Sequence, residues 1–193
     1  MIHQINLRQT GSIRREGTAV LHHGYTPPSR SLRMTIRRTE REPIIGFWRE
    51  KFGVPPETFD NYVFYKKGAK KVWAVRREAV SALEGEDTEA LETLDYESVG
   101  LPLLRVGGEH DKPTTDALQL FGDSVTKNAV ELDTEDACEF VRGETVDIEF
   151  GEDEVDLGYV AVKHEEEVLG CGLYFPGELR SQVPKGRRVE LRL

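Results

Sequence analysis

The residues of this 193-residue chain best suited to hold a charged ligand are its lysines and arginines, and they come in groups. Lys185-Gly186-Arg187-Arg188 sets three cations around a glycine that permits a tight turn, within a half of the chain that is otherwise acidic. Lys66, Lys67, Lys70 and Lys71 crowd a second turn, with Tyr62, Phe64, Tyr65 and Trp73 on either side of it. Lys127 and Asn128, with Lys112 upstream, make a third group. Lysine and arginine neutralise phosphates and aromatic rings stack on bases, so cations interleaved with aromatics are the composition of a single-stranded nucleic-acid platform. The competing expectation is structural. Alternation along a strand sends Phe64 and Trp73 into a core and leaves the lysines exposed either way.

Other chemistries find little footing. Cys138 and Cys171 stand alone, neither in a Cys-x-x-Cys pair, and both read as core packing. No His pair has zinc-ligand spacing, and His22 beside His23 in a flexible arm is a poor site. Glu152-Asp153-Glu154 with Asp156 lacks the glycine and spacing of a calcium loop and reads as a solvated loop. No nucleophile elbow, phosphate loop or His-Glu-x-x-His motif occurs. The sequence therefore implies no catalytic residue, no metal and no cofactor.

The elements that must carry the cations follow from punctuation and period. Residues 1–39 read as a basic arm, its first 33 residues holding five arginines, one Glu and no helical or strand period. The expectation is a disordered tail, or a start codon set too early with Met34 the real beginning, against a basic arm that touches RNA phosphates. Pro43 suits the first turn of a helix in which Ile44, Ile45, Trp48 and Phe52 recur, stopped by Gly53 and Pro55. Tyr62–Lys66 and Lys71–Arg76 predict a hairpin, and Leu101–Val106 a further strand. Seven acids fall within residues 84–98, a solvated run with no assigned function. Pro113 is expected to open a short helix bearing Ala117, Leu118 and Phe121. Val130–Leu132, a helix capped by Asp133 and ended by Gly143, then Val146–Phe150, Gly158–His164, Val168–Phe175 and Val189–Leu193 predict a small mixed barrel. The fold class is α+β: an arm over 1–39, a small α+β domain over 40–108 and a β-barrel domain over 109–193.

Charge is divided as sharply as structure. Residues 1–77 carry +10 and residues 78–193 carry −19, for a net −9. An acidic, arginine-rich composition suits a salt-rich cytoplasm, where surface carboxylates keep a protein soluble. At about 1 M salt the Debye length is roughly 3 Å, so an anionic protein can still hold RNA through close contacts. No run approaches the roughly 18 apolar residues of a membrane helix, and the start lacks the apolar block of a signal peptide, so the expectation is a cytoplasmic protein with no membrane partner.

Val130-Glu131-Leu132-Asp133, then Asp136-Ala137 and Phe140-Val141-Arg142-Gly143, resembles the opening of a PUA domain. Gly158–Lys163 followed by Val168–Tyr174 is similar to that family's next hairpin, and Gly177–Arg188 resembles the PUA-like tail of the Sun/Fmu group of ribosomal RNA cytosine-5 methyltransferases. The resemblance covers roughly 44–193 and is strongest in 112–190. It implies RNA binding, with ribosomal RNA favoured over transfer RNA, in ribosome biogenesis or RNA modification. It also implies that Arg142 and Gly143 face the RNA. The group's Pro-Cys nucleophile and its S-adenosylmethionine domain have no counterpart here, so no catalysis carries over. Two other readings stand beside this one: the RNA-targeting subunit of a split methyltransferase whose catalytic half is a separate RNA-modifying enzyme, and a module kept for protein contacts.

Overall fold

The computed structural model describes residues 36–83, 100–151 and 154–188. The arm through residue 35, the acidic run over 84–99, residues 152 and 153, and the expected closing strand Val189–Leu193 lie outside the described residues. Helix α1 spans Glu42–Phe52, with Pro43 in its first turn and Ile44, Ile45, Trp48 and Phe52 all buried. Gly53, at φ 65°, ends it: its N–H reaches back to the Arg49 carbonyl and that of Val54 to Trp48.

The hairpin forms as its spacing predicts. Strands β2 (Tyr62–Lys67) and β3 (Lys71–Arg76) pair from Tyr62 opposite Arg76 to Lys67 opposite Lys71. With β1 (Ile36–Arg38), β4 (Leu101–Arg105) and β5 (Lys112–Pro113) they make an antiparallel sheet in chain order. A helix not expected from the sequence, α2 (Arg77–Leu83), follows β3 directly. One further expectation is corrected. Pro113 does not open a helix but ends β5, and Thr114 caps α3 (Thr115–Phe121) by accepting from the Ala117 N–H at 3.1 Å. A proline at a sheet edge needs no ladder donor, which is why β5 tolerates it.

The second sheet has the order β6-β8-β9-β10-β7 and curls into an open half-barrel. Its strands are β6 (Ala129–Glu131), β7 (Thr145–Ile148), β8 (Gly158–His164), β9 (Glu167–Phe175) and β10 (Gly177–Ser181). The β6–β8 pair is parallel and the rest antiparallel. Helix α4 (Thr134–Arg142) joins β6 to β7, capped by Asp133, whose carboxylate accepts from the Asp136 N–H, and ended by Gly143 at φ 91°. Its buried face covers Val146, Val160 and Leu179 of the half-barrel.

The two sheets share one core. Trp48, Phe52 and Phe59 meet Phe121, with the Phe59 and Phe121 rings 4.9 Å apart, and the same apolar cluster takes in Ala161 and Cys171 of the second sheet. The described residues belong to one compact unit, Arg33–Leu193. Gly170 of β9 makes room for α3, because a Cβ there would press on the Thr115 side chain. That close approach sets α3 between the sheets and places its first turn beside the edge strand β5.

Candidate nucleic-acid interface

Residues directly opposite one another in an antiparallel pair project from the same face. Lys71 stands opposite Lys67 on one side and Arg105 on the other, and Arg105 stands opposite Lys112. Four cations therefore form a row across β2, β3, β4 and β5. Like charges in such register destabilise a sheet, so the row is not explained by folding. No described carboxylate pairs with Lys71 or Arg105.

Lys71, Arg105 and Lys112 line an open cavity of about 410 Å3, together with Asp116, Gln182 and Pro184. The Lys112 ammonium donates to Gln182 Oε1 at 2.5 Å and lies 5.4 Å from the centre of the Tyr159 ring. Burial lowers its pKa from the ordinary lysine value; the nearby Cys171 opposes that shift and Arg105 reinforces it. Trp73 and Thr115 also line the cavity. Both residues are more than nine-tenths buried, and the Trp73 indole N–H and the Thr115 hydroxyl have no hydrogen-bond partner.

A second basic corner adjoins the first through the segment that follows β10. Lys185, Arg187 and Arg188 are exposed on a short 3-10 turn over Lys185–Arg187. Arg187 forms an ion pair with Asp116 of α3. Arg188 turns the other way: its Nε donates to the Val183 carbonyl at 3.3 Å, and its guanidinium covers Gly143, where a Cβ would overlap it. Arg142, exposed in the last turn of α4, precedes that glycine. The positions Arg142, Gly143 and Arg188 thus meet at one place. Residues 182–188 have the cavity on one side and the end of α4 on the other.

Other expected residues go elsewhere. Lys127 is exposed, but the stretch around it is a clamp on the end of α1. Thr126 and Lys127 both donate their N–H to the Phe52 carbonyl. The Asn128 amide donates to the Lys51 carbonyl at 2.6 Å and to Asp156 Oδ2 at 2.8 Å, and its oxygen accepts from the Asp156 N–H. Asn128 adopts φ 49°, a conformation asparagine tolerates better than most residues. Lys112 is therefore not a neighbour of this group but a member of the cation row. Lys66 alternates to the face opposite Lys67 and lines a separate hollow with Arg38 and Asp111. Lys70 is exposed at the hairpin turn, where its carbonyl accepts from the Val106 N–H.

The aromatics of the hairpin are core: Phe64, Tyr65 and Trp73 are buried, and Tyr62 packs on Phe121. Sequence reading missed Arg105, Gln182 and Thr115. A signal existed for Arg105. In a meander, the end of β2, the start of β3, the end of β4 and the start of β5 lie at one end of the sheet, and each carries a cation. Among the described residues no cluster of three or more His, Cys, Asp or Glu is placed to hold a metal, and no helix is long and apolar enough to cross a membrane.

Two family models match parts of the chain. No curated protein matches it. Residues 23–91 match a family of unknown function (DUF7122). Residues 127–189, which contain the whole half-barrel, α4 and the 182–188 segment, match the PUA domain of methyltransferase RsmF, so this part of the chain is similar to a PUA domain.

Proposed function

We propose that this chain is a cytoplasmic RNA-binding protein that acts by holding structured RNA, with ribosomal RNA favoured over transfer RNA, in ribosome biogenesis or RNA modification. The observation that carries the reading is the meeting of Arg142, Gly143 and Arg188 at the end of α4, on a PUA-like domain whose surroundings are acidic. Exposed cations on one rigid corner fix a phosphate backbone at short range. Short range is what counts where salt screens the net charge of −9.

The reading assigns no turnover to the chain. Both cysteines are buried, and desolvation pushes the Cys171 thiol up to about 12 despite the pull of Lys112, so at neutral pH it is a thiol and a poor nucleophile. A separate RNA-modifying enzyme is the natural partner, and it would co-purify with the tagged chain.

The test is ultraviolet crosslinking in the native cells at native salt, with the attached RNA sequenced. Reads concentrated on one ribosomal helix, and lost in an Arg142→Glu/Lys185→Glu variant that still folds, are the expected outcome. Background-level RNA on the folded wild type overturns the reading and leaves a half-barrel kept for protein contacts. Reads on transfer RNA move the substrate and keep the mechanism.

A further inference from the structure

We propose that the cavity between the first sheet and the 182–184 segment is a pocket for one phosphate-bearing nucleotide, supplied by the RNA held on the adjoining corner. The choice of RNA as source rests on the reading above; the pocket itself does not.

Two independent features point to this ligand. The first is the register of Lys71, Arg105 and Lys112. Three cations opposite one another repel, and an anion between them turns that repulsion into attraction. The Trp73 N–H and the Thr115 hydroxyl are closed off within the cavity wall, as the Trp48 N–H is in the core, so Trp73 reports on the wall and is not a ligand contact.

The second is size and lining. About 410 Å3 lies in the lower part of the roughly 300–1,000 Å3 range of small-ligand sites. It suits one nucleotide and excludes a duplex, and prolines 102, 113 and 184 give it apolar walls for a base. Gln182 holds Lys112 in place and has its own amide nitrogen left to read a base or ribose oxygen. The 182–188 segment makes the coupling physical. Its first residues line the pocket, and its last, Arg188, lies on Gly143. The segment thus links the corner that would hold RNA to the cavity.

The readout is the indole N–H resonances of Trp48 and Trp73 in the nitrogen-15-labelled full chain. Trp73→Phe assigns them, and circular dichroism in the same potassium chloride confirms folding. The probes are adenosine and uridine monophosphates, a random-sequence RNA hexamer, and inorganic phosphate. The expected result is a saturable Trp73 shift with the nucleotides and the hexamer, with Trp48 unmoved. Lys71→Gln/Arg105→Gln, both at exposed positions, weakens it at least tenfold while the fold is kept. Hexamer binding with Trp73 unmoved and no effect of the double variant overturns the pocket and leaves the RNA reading standing. Monophosphates that move Trp73 while RNA neither binds here nor crosslinks in cells support the pocket, make its source a free nucleotide, and overturn the RNA reading. Inorganic phosphate acting as well as the nucleotides overturns the nucleotide assignment.

Discussion

At the scale of single residues, some polar side chains hold the fold together, and Lys51 and Asn128 are of this kind. Asp156 lies below the usual carboxylate range because Asn128 hydrogen-bonds it and Lys51 adds a bond and a charge, against a smaller opposing effect of burial. A folded pKa below the unfolded value means that the stabilisation is present above about pH 4 and is lost as pH falls through the folded pKa. Asn128→Ala is therefore expected to return the Asp156 pKa toward its ordinary value, measured by carbon-13 titration of the side chain. It should also flatten the acid limb of stability that Asp156 contributes. Asp156 is exposed, so the effect is small in energy and clear in pKa.

The cysteines give a second residue-scale expectation. Cys138 and Cys171 are buried, and Cys171 is pushed up to about 12 by desolvation. Neither should react with a thiol reagent at pH 8 until the chain is unfolded. Fast labelling of the native protein would contradict the core role that their lone positions predict. This role was readable in the sequence, because neither cysteine has a neighbour that activates or ligates. The orphan state of Trp73 and Thr115 was not readable. It depends on which groups three separate segments bring within reach of each other.

At the scale of elements, local signals were strong where a cap or a turn enforces them. Asp133 before Thr134, with Gly143 after Arg142, delimits α4 as its sequence predicts. Asp133→Ala is expected to cost about 1 kcal/mol, read by urea unfolding, because one helix-end donor loses its acceptor. Gly143→Ala should cost about 1–2 kcal/mol for its left-handed backbone and also unseat Arg188. That second effect would show as weakened RNA binding beyond what Asp133→Ala causes at equal stability. The β5 edge was misread because a proline is as good a signal for a helix start as for an edge strand. The cation row was half legible. The hairpin fixes Lys67 opposite Lys71, but the pairing of β3 with β4 carries an irregularity at Val72 and Trp73 that sequence spacing does not reveal.

At the scale of the whole molecule, the sheets are joined by an aromatic cluster and not by a linker. Phe121, fully within α3, touches Trp48, Phe59 and Tyr62 of the first half and lies in one apolar cluster with Ala161 and Cys171 of the second. A boundary at residue 108 falls between β4 and β5, inside the first sheet. The hydrophobic pattern shows that each helix and strand has a buried face but not which partner covers it. For that reason the shared core could not be read in advance. Phe121→Ala removes the ring on which both halves close, and a change of this kind costs about 3–5 kcal/mol. If the core is shared, the variant should lower a single unfolding transition seen alike by Trp48 fluorescence, which reports the first half, and by amide exchange in β8 and β9, which reports the second. Two transitions, with only one of them moved, would mean that the halves fold separately. The nucleotide pocket, whose walls come from both, would then depend on docking as well as on folding.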